Sequence, residues 1–122
     1  YKIVPVVTVT GLTYTAQTND YIIRSKCYST EDRYIYIPDT LCVSGRIFII
    51  QELSRTGLTA GYLYVGSTPQ PSSILCYDLI SQYDISGSTY FTFNKFGGNN
   101  LASVMIYSDG DHWWNIGYNI EK

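Results

Sequence analysis

The chain has 122 residues and a mass of 13.8 kDa, which suits one domain that buries its own core. Charged residues make up 15%, against a usual value of about 25%, whereas Tyr numbers 13 and Ser and Thr 12 each. We therefore expect a neutral, polar and aromatic surface. A net charge of −2 without a basic cluster argues against a nucleic-acid partner. The longest apolar runs, such as residues 47–50, are far shorter than the roughly 20 residues of a membrane-spanning helix.

The start of the chain and its cysteines say little about location. The sequence opens at Tyr1 without an initiator Met or a signal-peptide pattern, so we expect it to be a processed or excised piece of a longer parent. Cys27, Cys42 and Cys76 allow at most one internal disulfide and lack the C-x-x-C spacing of a zinc site. We predict that all three are small buried hydrophobic residues.

The first half of the chain has the pattern of short strands. Its apolar residues recur with period two between Gly, Pro, Asn and Asp, which predicts strands joined by tight turns. The predicted strands cover residues 4–10, 12–16, 20–25, 33–37 and 46–53. Pro38 ends the fourth of these because it removes a backbone donor. Residues 47–50 are all apolar, so both faces of the fifth strand avoid water and we expect it to be central.

The second half continues the pattern. Further strands are predicted at residues 61–66 and 88–94, followed by a terminal hairpin of residues 103–107 and 112–120 around Asp109-Gly110. Residues 72–82 fit a helical turn about as well as a strand, and residues 96–100 form a loop. The chain shows no internal repeat, which argues against a propeller or solenoid. We predict an all-β fold, either an antiparallel β-sandwich or a partly closed barrel.

The tyrosines divide two of the predicted strands into unlike faces. Tyr34, Tyr36, Tyr62 and Tyr64 fall on the parity opposite to the neighbouring Ile, Leu and Val residues. An aromatic face of this kind can stack on a sugar ring while amides fix its hydroxyls. It can also pack between subunits, the interpretation favoured for most of these residues, because Tyr is enriched at interfaces. A half-buried Tyr in a strand is the ordinary third explanation.

No catalytic, metal or cofactor site follows from the motifs. The segment Asp109-Gly110-Asp111-His112 is typical of a tight turn rather than of converging metal ligands. His112 is the single histidine and has no nucleophile placed beside it by sequence logic. Carboxylate pairs that meet only in space remain open as an alternative, drawn from Asp20, Asp39, Glu52, Asp78 and Asp84. No nucleotide-binding glycine motif is present.

A resemblance appears when the features are taken in order. They are Thr8-Val9-Thr10 before Tyr14, Asp20-Tyr21-Ile22-Ile23, Ile37-Pro38, Gly45-Arg46-Ile47-Phe48-Ile49-Ile50, and Ser103 to Gly110 before Trp113-Trp114. Over nearly the whole chain this order resembles a β-domain near the distal ends of phage tail fibres, tailspikes and related viral fibre proteins. Two departures are Ile37-Pro38 in place of the family's Leu-Pro and a doubled Trp in place of a single one.

The resemblance implies a structure, a location and a role. Residues 1–122 would form a single β-domain, a C-terminal head fragment of a longer fibre protein, which assembles as a homotrimer. It would lie extracellularly on the virion surface and attach to a host cell-surface receptor, often a glycan, without a cofactor, nucleic acid or membrane insertion.

The doubled tryptophan decides which residues of the last strand can bind a ligand. Strict alternation places Trp114, Ile116, Tyr118 and Ile120 on one face, so Trp114 is predicted to be core and Trp113 outward. The predicted sugar-binding residues are Trp113, His112 and Asn115, with Tyr62 and Tyr64 as further candidates.

Two other functions remain open. A carbohydrate-binding accessory module of a secreted polysaccharide-degrading enzyme would be favoured by a monomeric state, and a structural cap that trimerises a fibre would bind no glycan.

On the fibre hypothesis, whichever of Phe48 and Ile50 faces a neighbouring protomer should yield monomeric or insoluble protein when made polar.

Overall fold

The computed structural model describes residues 3–27, 31–53, 63–67, 76–77, 82–85, 88–93, 100–110 and 113–121. Within these ranges the chain is mostly β-strand, with one 3-10 turn at Asp39–Leu41 after Pro38. The strands are β1 (Val6–Val9), β2 (Thr13–Thr15), β3 (Ile22–Ser25), β4 (Arg33–Ile37), β5 (Ile47–Glu52), β6 (Leu63–Ser67), β7 (Cys76–Tyr77), β8 (Gln82–Ile85), β9 (Ser88–Phe93), β10 (Asn100–Ser108) and β11 (Trp113–Glu121).

The strands form two open sheets. Sheet A has the order β1-β3-β5-β10-β11-β7, and sheet B has the order β2-β4-β6-β9-β8. The elements are strands with one 3-10 turn, so the predicted all-β character is confirmed. The two sheets share one core, which fits a sandwich. Neither sheet closes on itself, so the alternative of a partly closed barrel is not what the structure adopts.

The first six strands wind between the sheets in parallel. β1, β3 and β5 pair parallel in sheet A, and β2, β4 and β6 pair parallel in sheet B. Val6 pairs with Ile22 and Ile22 with Ile49, so the interval rises from 16 residues (6 to 22) to 27 residues (22 to 49). Because the successive turns differ in length, this winding leaves no fixed period in the sequence. The absence of an internal repeat therefore does not argue against a chain that winds in this way.

The second half of the chain supplies the antiparallel pairs. β10 pairs with both β5 and β11, and β9 pairs with both β6 and β8. The predicted terminal hairpin is confirmed as β10 and β11. The prediction of an antiparallel sandwich is wrong in part, because both sheets are mixed. Parallel pairs require crossover connections, and alternation within a strand carries no information on its partner's direction.

The core lies between the sheets and is built by alternating burial along β3, β4, β5 and β10. In β4 the buried residues are Arg33, Ile35 and Ile37, and in β5 they are Phe48, Ile50 and Glu52. The apolar core consists of Val9, Ala16, Ile23, Ile35, Ile37, Leu41, Cys42, Phe48, Ile50, Leu63, Val65, Val104, Ile106 and Trp113. The predicted central position of β5 is confirmed, since it is third of six strands in sheet A.

Phe48 and Ile50 occupy the same face of β5, and that face is the core. Both side chains are 0% exposed, so neither can face a neighbouring protomer and that part of the prediction is wrong. Their outward neighbours, Ile47 and Ile49, are only half-buried. Two successive apolar residues on a strand point to opposite faces, so the apolar run of residues 47–50 serves both.

A buried ion pair connects the two sheets. Arg33 of β4 lies 2.7 Å from Glu52 of β5 through Nη2 and Oε2, and its Nη1 donates to Oε1 at 3.0 Å. Nη1 also donates to Ser25 Oγ of β3 at 3.2 Å. The two charged side chains are 1% and 0% exposed. A two-pronged pair of this geometry holds β4 in a fixed register over β3 and β5.

The cysteines that the structure describes behave as predicted. Cys27 and Cys42 are both buried and free of disulfides. Cys42 Sγ lies 3.2 Å from Ser108 Oγ at the end of β10. The side chain of Cys76 lies outside the described residues.

Candidate functional site

Three tyrosines lie on the outer surface of β4 and β6 in sheet B. Tyr34 and Tyr36 alternate with buried isoleucines in β4, and Tyr64 lies between buried Leu63 and Val65 in β6. All three are half-buried, so the predicted division into an aliphatic and a tyrosine face is confirmed in these strands. Tyr62, predicted to join them, lies outside the described residues.

The three rings form a continuous stack. Tyr34 occupies the middle, with its ring centroid 5.8 Å from that of Tyr36 and 5.2 Å from that of Tyr64. The interplanar angles are 11° and 19°, so the rings are nearly parallel. Offset parallel packing is a favourable arrangement for aromatic rings. We call Tyr34, Tyr36 and Tyr64 the tyrosine face.

The strand positions beside the tyrosine face carry no charged side chain, and Asp32 lies just before β4. The ladder places exposed Thr13 opposite Tyr34 and exposed Thr15 opposite Tyr36, while Gly66 lies beside Tyr36 in the next strand. Burial, and then the negative charge of Asp32 and the neighbouring Tyr36, raise the pKa of Tyr34. Its phenol thus stays protonated and able to donate a hydrogen bond at neutral pH.

Trp113 is a core residue, and the prediction that it faces outward is wrong. Its side chain is 0% exposed and packs on Phe48 with centroids 5.5 Å apart and planes tilted by 46°. It therefore cannot stack on a ligand at the surface. The same finding overturns the predicted core position of Trp114, which is half-buried.

A β-bulge in β11 explains the exchange of the two tryptophans. Met105 pairs with Gly117 but Ile106 pairs with Asn115, which leaves Ile116 as an extra residue without a partner position. One added residue inverts the alternation, so positions after the bulge cannot be extrapolated back to Trp114. Ile116 itself is 49% exposed.

Trp114 is held at the surface by the hairpin turn. Its Nε1 donates to Asp109 Oδ2 at 2.7 Å, and the turn is closed by Gly110 N donating to Ser108 Oγ at 3.0 Å. Asp111 and His112 lie outside the described residues, and Asn115 belongs to β11 with its side chain undescribed. Across the described ranges, no group of three or more His, Cys, Asp or Glu is placed to hold a metal ion.

Two of the carboxylates considered for pairing have structural partners. Glu52 is bound by Arg33 in the core. Asp20 Oδ2 accepts hydrogen bonds from Tyr14 OH at 2.6 Å and from the backbone N of Gln17 at 2.8 Å. Burial, together with this bond to Asp20, raises the pKa of Tyr14 to about 12. The side chains of Asp39, Asp78 and Asp84 lie outside the described residues.

Arg46 contacts the same turn that contains Asp20. Arg46 Nη2 donates to the backbone carbonyl of Asp20 at 2.6 Å, and its guanidinium carbon lies 4.5 Å from the ring centroid of Phe48. These contacts fix the turn before β3 against the start of β5. They explain Arg46 and Asp20 as parts of the scaffold rather than as reactive groups.

Comparison with protein-family models found no matching family, and comparison with curated proteins and with solved structures found no match. Among the described residues, no helix has the length and apolar character needed to cross a membrane.

Proposed function

We propose that this domain is a viral fibre head domain that attaches to a host cell-surface glycan through the tyrosine face of sheet B. The observation that carries the proposal is the half-buried stack of Tyr34, Tyr36 and Tyr64, with exposed Thr13 and Thr15 of β2 along one side. The proposed role is binding without catalysis, on the virion surface and in the extracellular space. The order of sequence features shared with distal fibre domains supports the viral setting, and with it assembly as a homotrimer.

The chemistry of the tyrosine face suits a neutral saccharide. Ring faces stack on the apolar C–H face of a pyranose, and phenol and threonine hydroxyls donate to and accept from its hydroxyl groups. No charged side chain occupies the described outward positions of β2, β4 and β6, so an anionic partner would find no countercharge there. Because Tyr34 is fixed between two rings, little side-chain entropy is lost on binding.

The tyrosine face suits a ligand better than a permanent subunit contact. Tyr36 ends in a hydroxyl that needs a hydrogen-bond partner once water is removed. Thr13 and Thr15, both exposed, add two more such groups along the edge. A saccharide satisfies many hydroxyls at once, whereas an apolar subunit surface satisfies none of them.

The experiment is a glycan array followed by titration calorimetry on the strongest hit. Tyr36→Ala should weaken binding about tenfold or more, because truncation of a buried aromatic anchor costs about 2 kcal/mol. Tyr36→Phe should retain the stacking part of the affinity. Tyr21→Ala, a half-buried tyrosine outside sheet B, is the matched control and should bind as the unchanged chain does. Equal binding by Tyr36→Ala and the control would contradict the proposal.

The other two functions make different predictions in the same experiments. A monomer that binds glycan would favour an accessory carbohydrate-binding module of a polysaccharide-degrading enzyme. A trimer that binds no glycan would favour a structural cap of the fibre.

A further inference from the structure

The strands β1 and β2 form the open end of the parallel winding. β1 is the first strand of sheet A and β2 is the first strand of sheet B, and neither has a partner on its outer side among the described strands. The other end is closed within the chain, because β5 pairs with β10 and β6 pairs with β9. Stacked coils need a cap at each end to protect their outermost strands. Within the described ranges, the chain supplies that cap at one end only.

The hydrogen bonds of β1 fix which of its main-chain groups face outward. Backbone N–H groups at the start of β3 and just after its end donate to the carbonyl oxygens of Pro5, at 3.2 Å, and of Val9, at 2.8 Å. The N–H and C=O of one residue lie on the same side of a strand, and that side alternates from residue to residue. Val7 therefore faces β3 with Pro5 and Val9, whereas Val6 and Thr8 direct both of their main-chain groups to the outer side.

The strand β2 repeats this arrangement at the edge of sheet B. Its neighbour β4 bonds to the carbonyl of Leu12, at 2.9 Å, and to the N–H of Ala16, at 2.8 Å. Thr13 and Thr15 thus direct their main-chain groups outward, but the Thr15 carbonyl already accepts a hydrogen bond from the Gln17 side chain at 2.8 Å. In the part of the chain that the structure describes, no side chain does the same for β1. β1 is therefore the more open of the two edges.

The side chains at this end are exposed as well. Ile3 is 82% exposed, Val6 54% and Leu12 36%, and these are three of the six large hydrophobic residues that are exposed in the described ranges. The four threonines of residues 8–15 are also exposed. The described side chains around the open edge are thus accessible to a partner.

The edge lacks the features that usually keep one strand from pairing with another. Natural edge strands carry charged side chains, a bulge or an outward-facing Pro. No charged residue lies between Lys2 and Asp20, and the ladder of β1 with β3 is regular. Pro5 does not block the edge, because the N–H that it lacks would lie on the side that faces β3. The outer side of β1 is therefore a template for a further strand.

We infer that an extended segment of a partner protein adds to β1 as a further strand of sheet A. Val6 and Thr8 each offer one main-chain donor and one acceptor, which is the pattern that another strand complements. The segment is uncharged, because a charged strand would find no countercharge along residues 3–19. A second copy cannot continue the winding head to tail, since its own β10 and β9 cover the far end. The inference is independent of the glycan proposal, which concerns the outer surface of β4 and β6.

The experiment measures the binding of labelled synthetic peptides to the chain by fluorescence anisotropy. The peptides have about seven residues, alternate Val or Ile with Thr or Ser, and carry no charged side chain. The unchanged chain should bind at least one of them with a dissociation constant below about 1 mM. Thr8→Pro removes the outward N–H, leaves the ladder to β3 intact and should weaken binding about tenfold or more. Thr8→Val, the matched control, keeps the N–H and a β-branched side chain and should bind as the unchanged chain does.

Amide hydrogen exchange followed by NMR locates the added strand without any substitution. In the free chain, the N–H groups of Val6 and Thr8 should exchange fast and those of Val7 and Val9 slowly, because only the latter two face β3. Saturation with the tightest peptide should slow exchange at Val6 and Thr8 about tenfold or more. If Thr8→Pro fails to fold by circular dichroism, this measurement decides alone.

Four results would overturn the inference. The first is that no peptide binds, and the second is equal binding by Thr8→Pro and Thr8→Val. The third is peptide binding that leaves the Val6 and Thr8 amides in fast exchange. The fourth is slow exchange of both amides in the peptide-free chain together with a doubled mass by sedimentation equilibrium, which would assign the edge to a second copy.

Discussion

Replacing Trp113 tests the packing of the last strand most directly. Trp113 is 0% exposed and packs on Phe48, so Trp113→Ala removes a complete indole from the core. Large-to-small changes of buried aromatic residues cost about 3–5 kcal/mol, because lost burial adds to the cavity left behind. That is a large part of the total stability of about 5–15 kcal/mol expected for a single domain.

The neighbouring tryptophan provides the matched control. Trp114 is half-buried and donates from Nε1 to an exposed carboxylate, Asp109, at 2.7 Å. Trp114→Ala loses one hydrogen bond worth about 1 kcal/mol and part of the indole burial, so it should cost less than half as much as Trp113→Ala. Trp113→Phe should cost least, because the Trp113 Nε1 is buried without a hydrogen-bond partner and its removal eliminates a polar group that burial penalises.

The assay is urea unfolding followed by far-UV circular dichroism at one fixed protein concentration, because the proposed homotrimer would make stability depend on concentration. The expected order of lost stability is Trp113→Ala, then Trp114→Ala, then Trp113→Phe. If Trp114→Ala proves more damaging than Trp113→Ala, the bulge at Ile116 and the register around it are wrong. The strict alternation predicted from the sequence would then be correct.

Three further perturbations follow from the scaffold. Glu52→Gln removes the carboxylate that pairs with the buried Arg33 and should cost about 3–5 kcal/mol of stability by urea unfolding. Arg33→Met combined with Glu52→Leu should recover most of that lost stability. Equal losses of stability in the single and the double variant would contradict this account of the ion pair. Because the pKa of Tyr14 is raised from 10.0 to about 12, its contribution to stability is complete below pH 10 and is lost as pH rises towards 12. Tyr14→Phe should make the free energy of unfolding less dependent on pH between about 10 and 12. An unchanged dependence would refute the assignment of this pH effect to Tyr14. Gly45 has φ of +88°, so Gly45→Ala should cost about 1 kcal/mol, whereas Gly117→Ala, with open space around its Cβ position, should cost almost nothing.

Several elements of the fold could be predicted because their signal is local. Alternation in β4 and β6 separated buried Ile35 and Leu63 from half-buried Tyr34 and Tyr64. The Asp-Gly turn located the hairpin of β10 and β11, and the apolar run of residues 47–50 located the central strand. Each of these depends on residues within a few positions of one another. The tyrosine part of the candidate site was found in the same way.

The tertiary structure decided everything that depends on which strands meet. A period of two defines two faces of a strand but not its partner or its direction, so the parallel winding of β1 to β6 had no local signal. The pairing of Arg33 with Glu52, 19 residues apart, follows from that winding. Ile116 is a single bulged residue whose position depends on the partner strand, and it alone moved Trp113 into the core. The sequence by itself thus determined which residues avoid water, and only the pairing of distant strands decided where those residues lie, because strand register is fixed by contacts that no short segment contains.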